Sequence, residues 1–576
     1  MNPILFFILL TLGLFSSCGR PAERVTAQDD RPAAGPVLCG PVNLVWVTEP
    51  GNDGSYVPLF EGLDVYEYPI QTGSEMAQKY FNQGLILAYG FNHAEAARSF
   101  RECARRDPEC AMCYWGLAYV LGPNYNAGMD EEVLPMAREA LAQANLLIDR
   151  AGQKEQGLIK ALSKRYPPNK ETEPTPYYAA YSEALGELSR QFPDDLDIAA
   201  MWAESIMDLH PWDLWERKTG LPKSWTPQIT SILEGVLSRD STHPAAAHFY
   251  IHAIEASLEP ERGLPAADML AERVPGAGHL VHMPSHIYIR TGHYHKGVLA
   301  NERAVLVDST YFTACHAAGV YPLGLYPHNW HFLAATAALE GQGIRAVEAA
   351  REVAYATDKE RMLEPGWGTL QHYYSMPWHV MVKFAQWEEI LNEPRPADSL
   401  KYPLAVWQYA RGMALAGLNR LEEAEATLAV VDELLEDPAI EAITVWDLNN
   451  GRDLMQIGSY MLAGNIARQR GDLSEAVVLL EKAVAIEDRL AYNEPPDWFF
   501  PVRHLLGAVL LEQSDWSSAE KTYLEDLAEF PENGWALAGL AVALEKQGRK
   551  EEAKEVRARF KAAWQWADVP LSTSVL

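Results

Sequence analysis

A chain of 576 residues that is 48% hydrophobic, 10% aromatic and 22% charged has the composition of a folded protein and can bury a large core. Its 78 acidic residues against 48 basic ones leave a net charge of −30 and a pI near 4.9. That balance excludes nucleic acid and anionic membrane as primary ligands, since both demand a positive footprint, and it favours cationic, neutral or metal-ion partners. The chain opens on an apolar run, Ile4 to Phe15, too short to anchor stably across a bilayer. Residues 1–17 therefore read as a signal peptide.

The run ends in Phe15-Ser16-Ser17-Cys18, which resembles the bacterial lipobox. The resemblance implies cleavage before Cys18, lipidation of that cysteine, and a place on the periplasmic side of the outer membrane. A cleaved soluble signal is the alternative. Residues 18–42, rich in Pro, Ala and charge, read as a tether. Residues 43–75 read as a short irregular cap, because Val45-Trp46-Val47 and Val65-Tyr66-Glu67-Tyr68 look extended. Further on, Cys110-x-x-Cys113 with Cys103 can supply one disulfide or a redox pair. A lone C-x-x-C is a weak zinc signal, and small buried residues of a repeat account for all three cysteines more simply.

From Tyr80 the chain reads Gly84, Leu87, Ala96, Phe100, Pro108. The ladder recurs as Gly507, Leu510, Ala519, Tyr523, Pro531. It recurs in part as Gly464, Ala476, Leu480, Ala483 and as Gly412, Ala424, Leu428. It resembles the tetratricopeptide repeat, a helix–turn–helix of about 34 residues. The resemblance is strong over 77–121 and 405–560 and recognisable across 245–395. It implies an all-α, right-handed superhelix. Its repeats divide into residues 76–240, a histidine-rich centre at 241–395, and residues 396–576, closed by a capping helix from about Lys550 to Ala567. In the first block Trp202, Trp212, Trp215 and Trp225 read as packing residues between helices, with a ligand groove as the alternative.

Thirteen of the sixteen histidines lie between His243 and His379. His279, His282 and His286 stand 13, 10 and 6 residues before Gly292, His328 and His331 stand 13 and 10 before Gly341, and His372 and His379 stand 13 and 6 before Ala385. Separations of three, four and seven residues share one helical face. The family resemblance places these positions, with Arg290, on the concave wall of the superhelix. His248 and His252 form an i, i+4 pair with Glu255 beside them, a face compatible with a metal ion. Pro284 and Pro377, taken as first-turn prolines, move His279, His282 and His372 onto entering loops. Met283 and Met376 are core residues or, if the metal is copper, thioether ligands. His243, His293 and His295 read as turn residues, and His316 has no place in the register.

The expected function is a histidine-lined groove that binds a divalent transition metal, zinc, copper or iron. Chemistry at such an ion would use Glu255 or Glu340 as base or extra ligand. The alternative is a non-catalytic scaffold that captures a peptide or protein, with no nucleic acid partner and a lipid anchor as its only membrane contact. The H-E-x-x-H signature, a P-loop and a G-x-S-x-G elbow are absent from the chain.

Overall fold

In the computed structural model the described residues are 55–217, 219–314 and 321–576. The signal peptide, Cys18, the tether, Val45–Val47 and His316 lie outside them. Among the described residues the fold is an all-α solenoid. Its one strand pairing is the short antiparallel ladder of Thr444–Val445 with Asn449–Asn450. No described helix is long and apolar enough to cross a membrane.

The repeat unit is a pair of antiparallel helices, such as Glu75–Tyr89 with His93–Arg106, Tyr326–Leu339 with Gly343–Ala356, or Gly451–Gln469 with Leu473–Glu487. The ladder of small and large residues has a steric cause. The Phe100 ring is fully buried against Gly84 and Gly116, and a methyl group at Gly84 would stand 2.9 Å from it. Tyr523 fills the same role between Gly507 and Gly539. Burial of a ring of this size removes 150–250 Å² of surface from water, so each such pair is a main source of cohesion between helices.

In most pairs the turn carries one residue in the left-handed region. Gly292 (φ 74°), Gly341 (φ 83°), Gly471 (φ 82°) and Gly548 (φ 79°) take it without a Cβ penalty. Ala385 (φ 51°), Asn419 (φ 59°) and Ser514 (φ 64°) accept it at some cost. The small residues that set the histidine register are therefore these turn residues. The equivalent position of the first pair is held by Phe91 (φ 55°), a bulky residue in a strained conformation.

Residues 55–74 form no helix or strand and lie along the first helix. Gln78 and Gln83 accept from the backbone N–H groups of Ile70 (3.0 Å) and Phe60 (2.8 Å), and Tyr80 donates to the Val57 carbonyl (2.8 Å). Tyr66 reaches across to Asp197 (2.7 Å). Cys103 and Cys113 are joined in a disulfide, and Cys110 is a buried free thiol, so the bridged state leaves one thiol rather than a metal-binding set.

Two proline expectations are corrected. His279 and His282 lie on a short helix, Gly278–His282, and the next helix starts at Pro284, so neither histidine is on a loop. Pro377 lies inside the helix Gly368–Lys383, which therefore also carries His372. Its missing N–H costs that helix one backbone bond, which packing on both sides offsets. Met283 and Met376 are fully buried in hydrophobic clusters and take no part in a site.

Candidate metal centre

The histidine wall separates into two groups, both buried. Six of the nine rings, those of His248, His252, His279, His282, His286 and His328, form one contiguous cluster. They come from four helices. Pro244–Ile254 carries His248 and His252, with Glu255 at its C-cap, and Gly278–His282 carries His279 and His282. Pro284–Arg290 carries His286, and Tyr326–Leu339 carries His328. Within the cluster the ligand atoms of His248, His252 and His279 lie within 4.8 Å of one another, and so do those of His282, His286 and His328.

Glu255 joins the two triads. Its Oε1 is 2.8 Å from His252 Nδ1 and its Oε2 is 2.6 Å from His286 Nδ1. Burial would raise this carboxyl, but the imidazoles of His286 and His252 outweigh it and hold Glu255 at about 2. The ionised carboxylate can only accept, so both rings donate to it from Nδ1 and turn Nε2 inward. His248 Nδ1 faces the Tyr89 carbonyl at 2.5 Å, with the same consequence. His282 Nδ1 faces Asn301 Oδ1 at 2.6 Å, an oxygen whose orientation is set by Asn301 Nδ2 donating to the Gly297 carbonyl (2.7 Å). These partners thus hold four rings through Nδ1 with Nε2 turned inward.

The resulting geometry could hold a cation. His282 Nε2 and His286 Nε2 are 3.0 Å apart, and His328 Nε2 is 3.5 Å from His286 Nε2. Two nitrogens on one tetrahedral ion with bonds near 2.0–2.1 Å would stand about 3.3 Å apart. In the other triad His248 Nε2, His252 Nε2 and both ring nitrogens of His279 have no hydrogen-bond partner, although all three residues are buried. Orphaned buried polar atoms are rare in native proteins and call for a ligand, an ion or a water. Burial, reinforced by neighbouring imidazoles, keeps His248, His279, His282 and His328 well below their ordinary range and therefore neutral, the form that binds metal.

His331, His372 and His379 stand apart from the six. Their rings form a looser chain, with centroids 5.9 Å from His331 to His372 and 6.3 Å from His372 to His379. Each has an unpartnered Nε2, and His372 Nδ1 is 2.9 Å from the Tyr402 hydroxyl. Burial pushes His331 down to about 3 and His379 to about 4.

Three further expectations are corrected. Both Glu255 oxygens are engaged by imidazoles, so this residue positions ligands and is not a free base. Glu340 sits beside the turn residue Gly341, where it meets His295 Nδ1 (3.4 Å) and Gln342, away from the cluster. Arg290 shares the helix of His286 but turns to the Glu529 carboxylate (3.1 Å) and the Glu255 backbone carbonyl (3.3 Å). The histidines also do not face an open groove, since all nine are at most 8% exposed. Asn493, Glu494 and Asp497, in the connector before the helix Arg503–Glu512, are likewise buried. His243 caps the helix Pro244–Ile254 from a buried position and pairs with Tyr66 and Asp197.

A cavity of about 980 Å³, including its open mouth, reaches the cluster at His286 and His328. Phe91, Leu121, Trp212, Leu325 and Trp446 make its apolar walls, with Asn124, Asn126 and Asn493 among them. Phe91, Asn493 and Phe332, whose ring centroid is 4.4 Å from that of His286 and 4.8 Å from that of His282, carried no signal in the sequence. A phenylalanine where the other repeats place a small residue is the one irregularity that could have marked Phe91. Of the four tryptophans, Trp212 lines this cavity. Trp215 and Trp225 donate to the backbone carbonyls of Ala253 (2.9 Å) and Asp213 (2.8 Å), as packing residues do.

Comparison with known proteins matches residues 457–489 to the family described as tetratricopeptide repeat. A curated relative, the cellulose synthase operon protein C of Xanthomonas axonopodis pv. citri (strain 306), is 32% identical over 150 residues. The match spans 26% of this chain and 9% of that protein. Among solved structures, the human IFIT1 dimer with m7Gppp-AAAA is 12% identical, with 78% of this chain and 90% of that chain covered and a TM-score of 0.31. Naa15/Naa10 bound to HypK-THB is 14% identical, with 84% and 70% covered and a TM-score of 0.22. The family match, together with the helix pairs and left-handed turns that repeat on either side of it, makes this chain a tetratricopeptide-repeat protein.

Proposed function

We propose that this tetratricopeptide-repeat protein is a metalloprotein that holds transition-metal ions between the inner helices of its central repeats. One ion would be held by His248, His252 and His279, and a second by His282, His286 and His328. Glu255 would fix the ring orientation on both sides. The observation that carries this reading is the convergence of six buried imidazoles, four of which (His248, His252, His282 and His286) are held from outside through Nδ1 with Nε2 turned inward. The cavity at His286 and His328 gives the second ion room for a substrate, and so supports a metal-dependent enzyme. Export and acylation at Cys18 belong to the same reading and rest on the lipobox-like N-terminus. Fatty-acid labelling that a Cys18→Ser change abolishes would test them.

Elemental analysis of protein purified without a His tag tests the metal site. Near-stoichiometric metal that falls when His282 and His286 are both changed to Ala is the expected result. Folded wild-type protein that takes up no metal on titration overturns it. The family match supports a second reading, a scaffold for a protein partner. That reading predicts a co-purifying protein whose binding survives a chelator.

A further inference from the structure

We propose that Lys383 is an amine nucleophile that condenses with an apolar aldehyde, in a cavity separate from that of the histidine cluster. His504 accepts its proton, and Asp526 orients His504. The product is an imine on Lys383 Nζ, and the carbonyl oxygen leaves as water.

Three helices bring these groups together. Lys383 ends the helix Gly368–Lys383, His504 lies in Arg503–Glu512 and Asp526 in Trp516–Glu529. Lys383 Nζ is 2.6 Å from His504 Nδ1, and His504 Nε2 is 3.0 Å from Asp526 Oδ2. Asn533 Nδ2 donates to the same oxygen (2.9 Å), which steadies the acid. An ammonium and an imidazolium can only donate, so a contact of 2.6 Å means that one of the pair is in its neutral, accepting form. Nucleophile, base and orienting acid in hydrogen-bonded order is the arrangement that activates a weak nucleophile. Among the described residues Lys383 forms no ion pair, and the Asp526 carboxylate reaches it only through His504. The Trp535 ring, 3.8 Å from Nζ, holds the amine in place and favours its ammonium form. Burial opposes that and pushes Lys383 well below its ordinary range, with Asp526 pulling the other way.

The cavity, about 680 Å³ with its open mouth, gives the amine a space for substrate. Its walls include Trp387, Met413, Met461, Trp498, Phe500 and Leu505. The charged and titratable residues on it are Lys383, His504, His379, Tyr409 and Arg468, along with the terminal Leu576. Arg468 Nε is held by both oxygens of Glu512 (3.0 and 3.1 Å), so its charge already has a partner. The walls therefore suit an aldehyde with an aromatic or aliphatic body. Condensation balances without any other reactant. The neutral amine adds to the carbonyl carbon, the C–N bond forms, and the C=O electrons move to oxygen. The two amine hydrogens end on that oxygen, one of them by way of His504, and it leaves as water while the C=N bond forms.

The test treats the full-length protein with benzaldehyde and cyanoborohydride, which reduces an imine to a stable secondary amine, and maps the labelled lysines by mass spectrometry. Lys383 is expected to label at least about ten-fold faster than the exposed Lys521, since lowering an amine by one pKa unit raises its neutral fraction about ten-fold. His504→Gln keeps an acceptor for the amine but cannot carry its proton, and it is expected to slow labelling about 100-fold. Lys383→Arg keeps a cation over Trp535 and is expected to lose the fast site, leaving only slow surface adducts. Labelling of Lys383 no faster than that of Lys521 overturns the proposal, and so does an unchanged rate in His504→Gln. The wild-type comparison needs no variant, so a substitution that fails to fold leaves the test intact.

Discussion

Glu255→Gln isolates the link between the two triads. In the wild type one carboxylate accepts from His252 Nδ1 (2.8 Å) and His286 Nδ1 (2.6 Å), with all three residues at most 1% exposed. A glutamine has one accepting oxygen and one donating nitrogen, so it satisfies only one of the two rings in its present tautomer. The other ring must move its proton to Nε2, and that nitrogen then ceases to be a ligand. Loss of a partner that orients a metal-binding histidine costs ~10- to 100-fold in affinity, or roughly 1.4–2.7 kcal/mol. Competition against a metal-binding dye reads the change directly. Glu340→Gln serves as control, because the buried Glu340 meets His295 and Gln342 away from the cluster, and it is expected to change affinity less than about two-fold, as a change at a distant, independent site does. Full wild-type affinity for both ions in Glu255→Gln would refute the argument, because the tautomers would then not be set by this carboxylate.

Other consequences concern the scaffold. Phe100→Ala empties the space between Gly84 and Gly116 and is expected to cost ~3–5 kcal/mol, read as a lowered denaturation midpoint. Cys113→Ser opens the loop closed by Cys103–Cys113, ten residues apart, and is expected to cost about 3 kcal/mol, with reduction of the wild type giving the same loss. Asp308 tests pH dependence. Burial raises its carboxyl to about 7, against the donors Tyr321 and Asn329. Between pH ~4 and ~7 the folded group is protonated and the unfolded one is not, so folded stability falls as pH rises, by ~4 kcal/mol at most. Asp308→Asn still accepts from Tyr321, and Asn329, whose Oδ1 is unpartnered, can turn to accept from it. Its denaturation midpoint should lose that slope, and an equally steep slope in the variant would count against this account.

Much of this protein is readable along the chain. The ladder of small and large residues specifies helix pairs because a ring such as Phe100 needs two facing glycines, which is a local volume requirement. The left-handed turn residues Gly292, Gly341 and Ala385 mark the repeat phase, and spacing alone puts His248 and His252, or His372 and His379, on one helical face. That much follows from a period of 3.6 residues, with no knowledge of neighbours. Packing alone determined which faces meet. His248 and His328 are 80 residues apart, and their convergence depends on crossing angles that no local spacing encodes. The same angles sent His331, His372 and His379 to a separate group, turned Glu340 and Arg290 away, and brought Glu255 between two rings from different helices. They also closed the expected groove into an interior, where burial pushes His248, His279, His282 and His328 well below their ordinary range and leaves Nε2 of His248 and of His252 without partners. Residue type supplied the ligands, and helix packing supplied the dryness and convergence that make six histidines a candidate centre for metal.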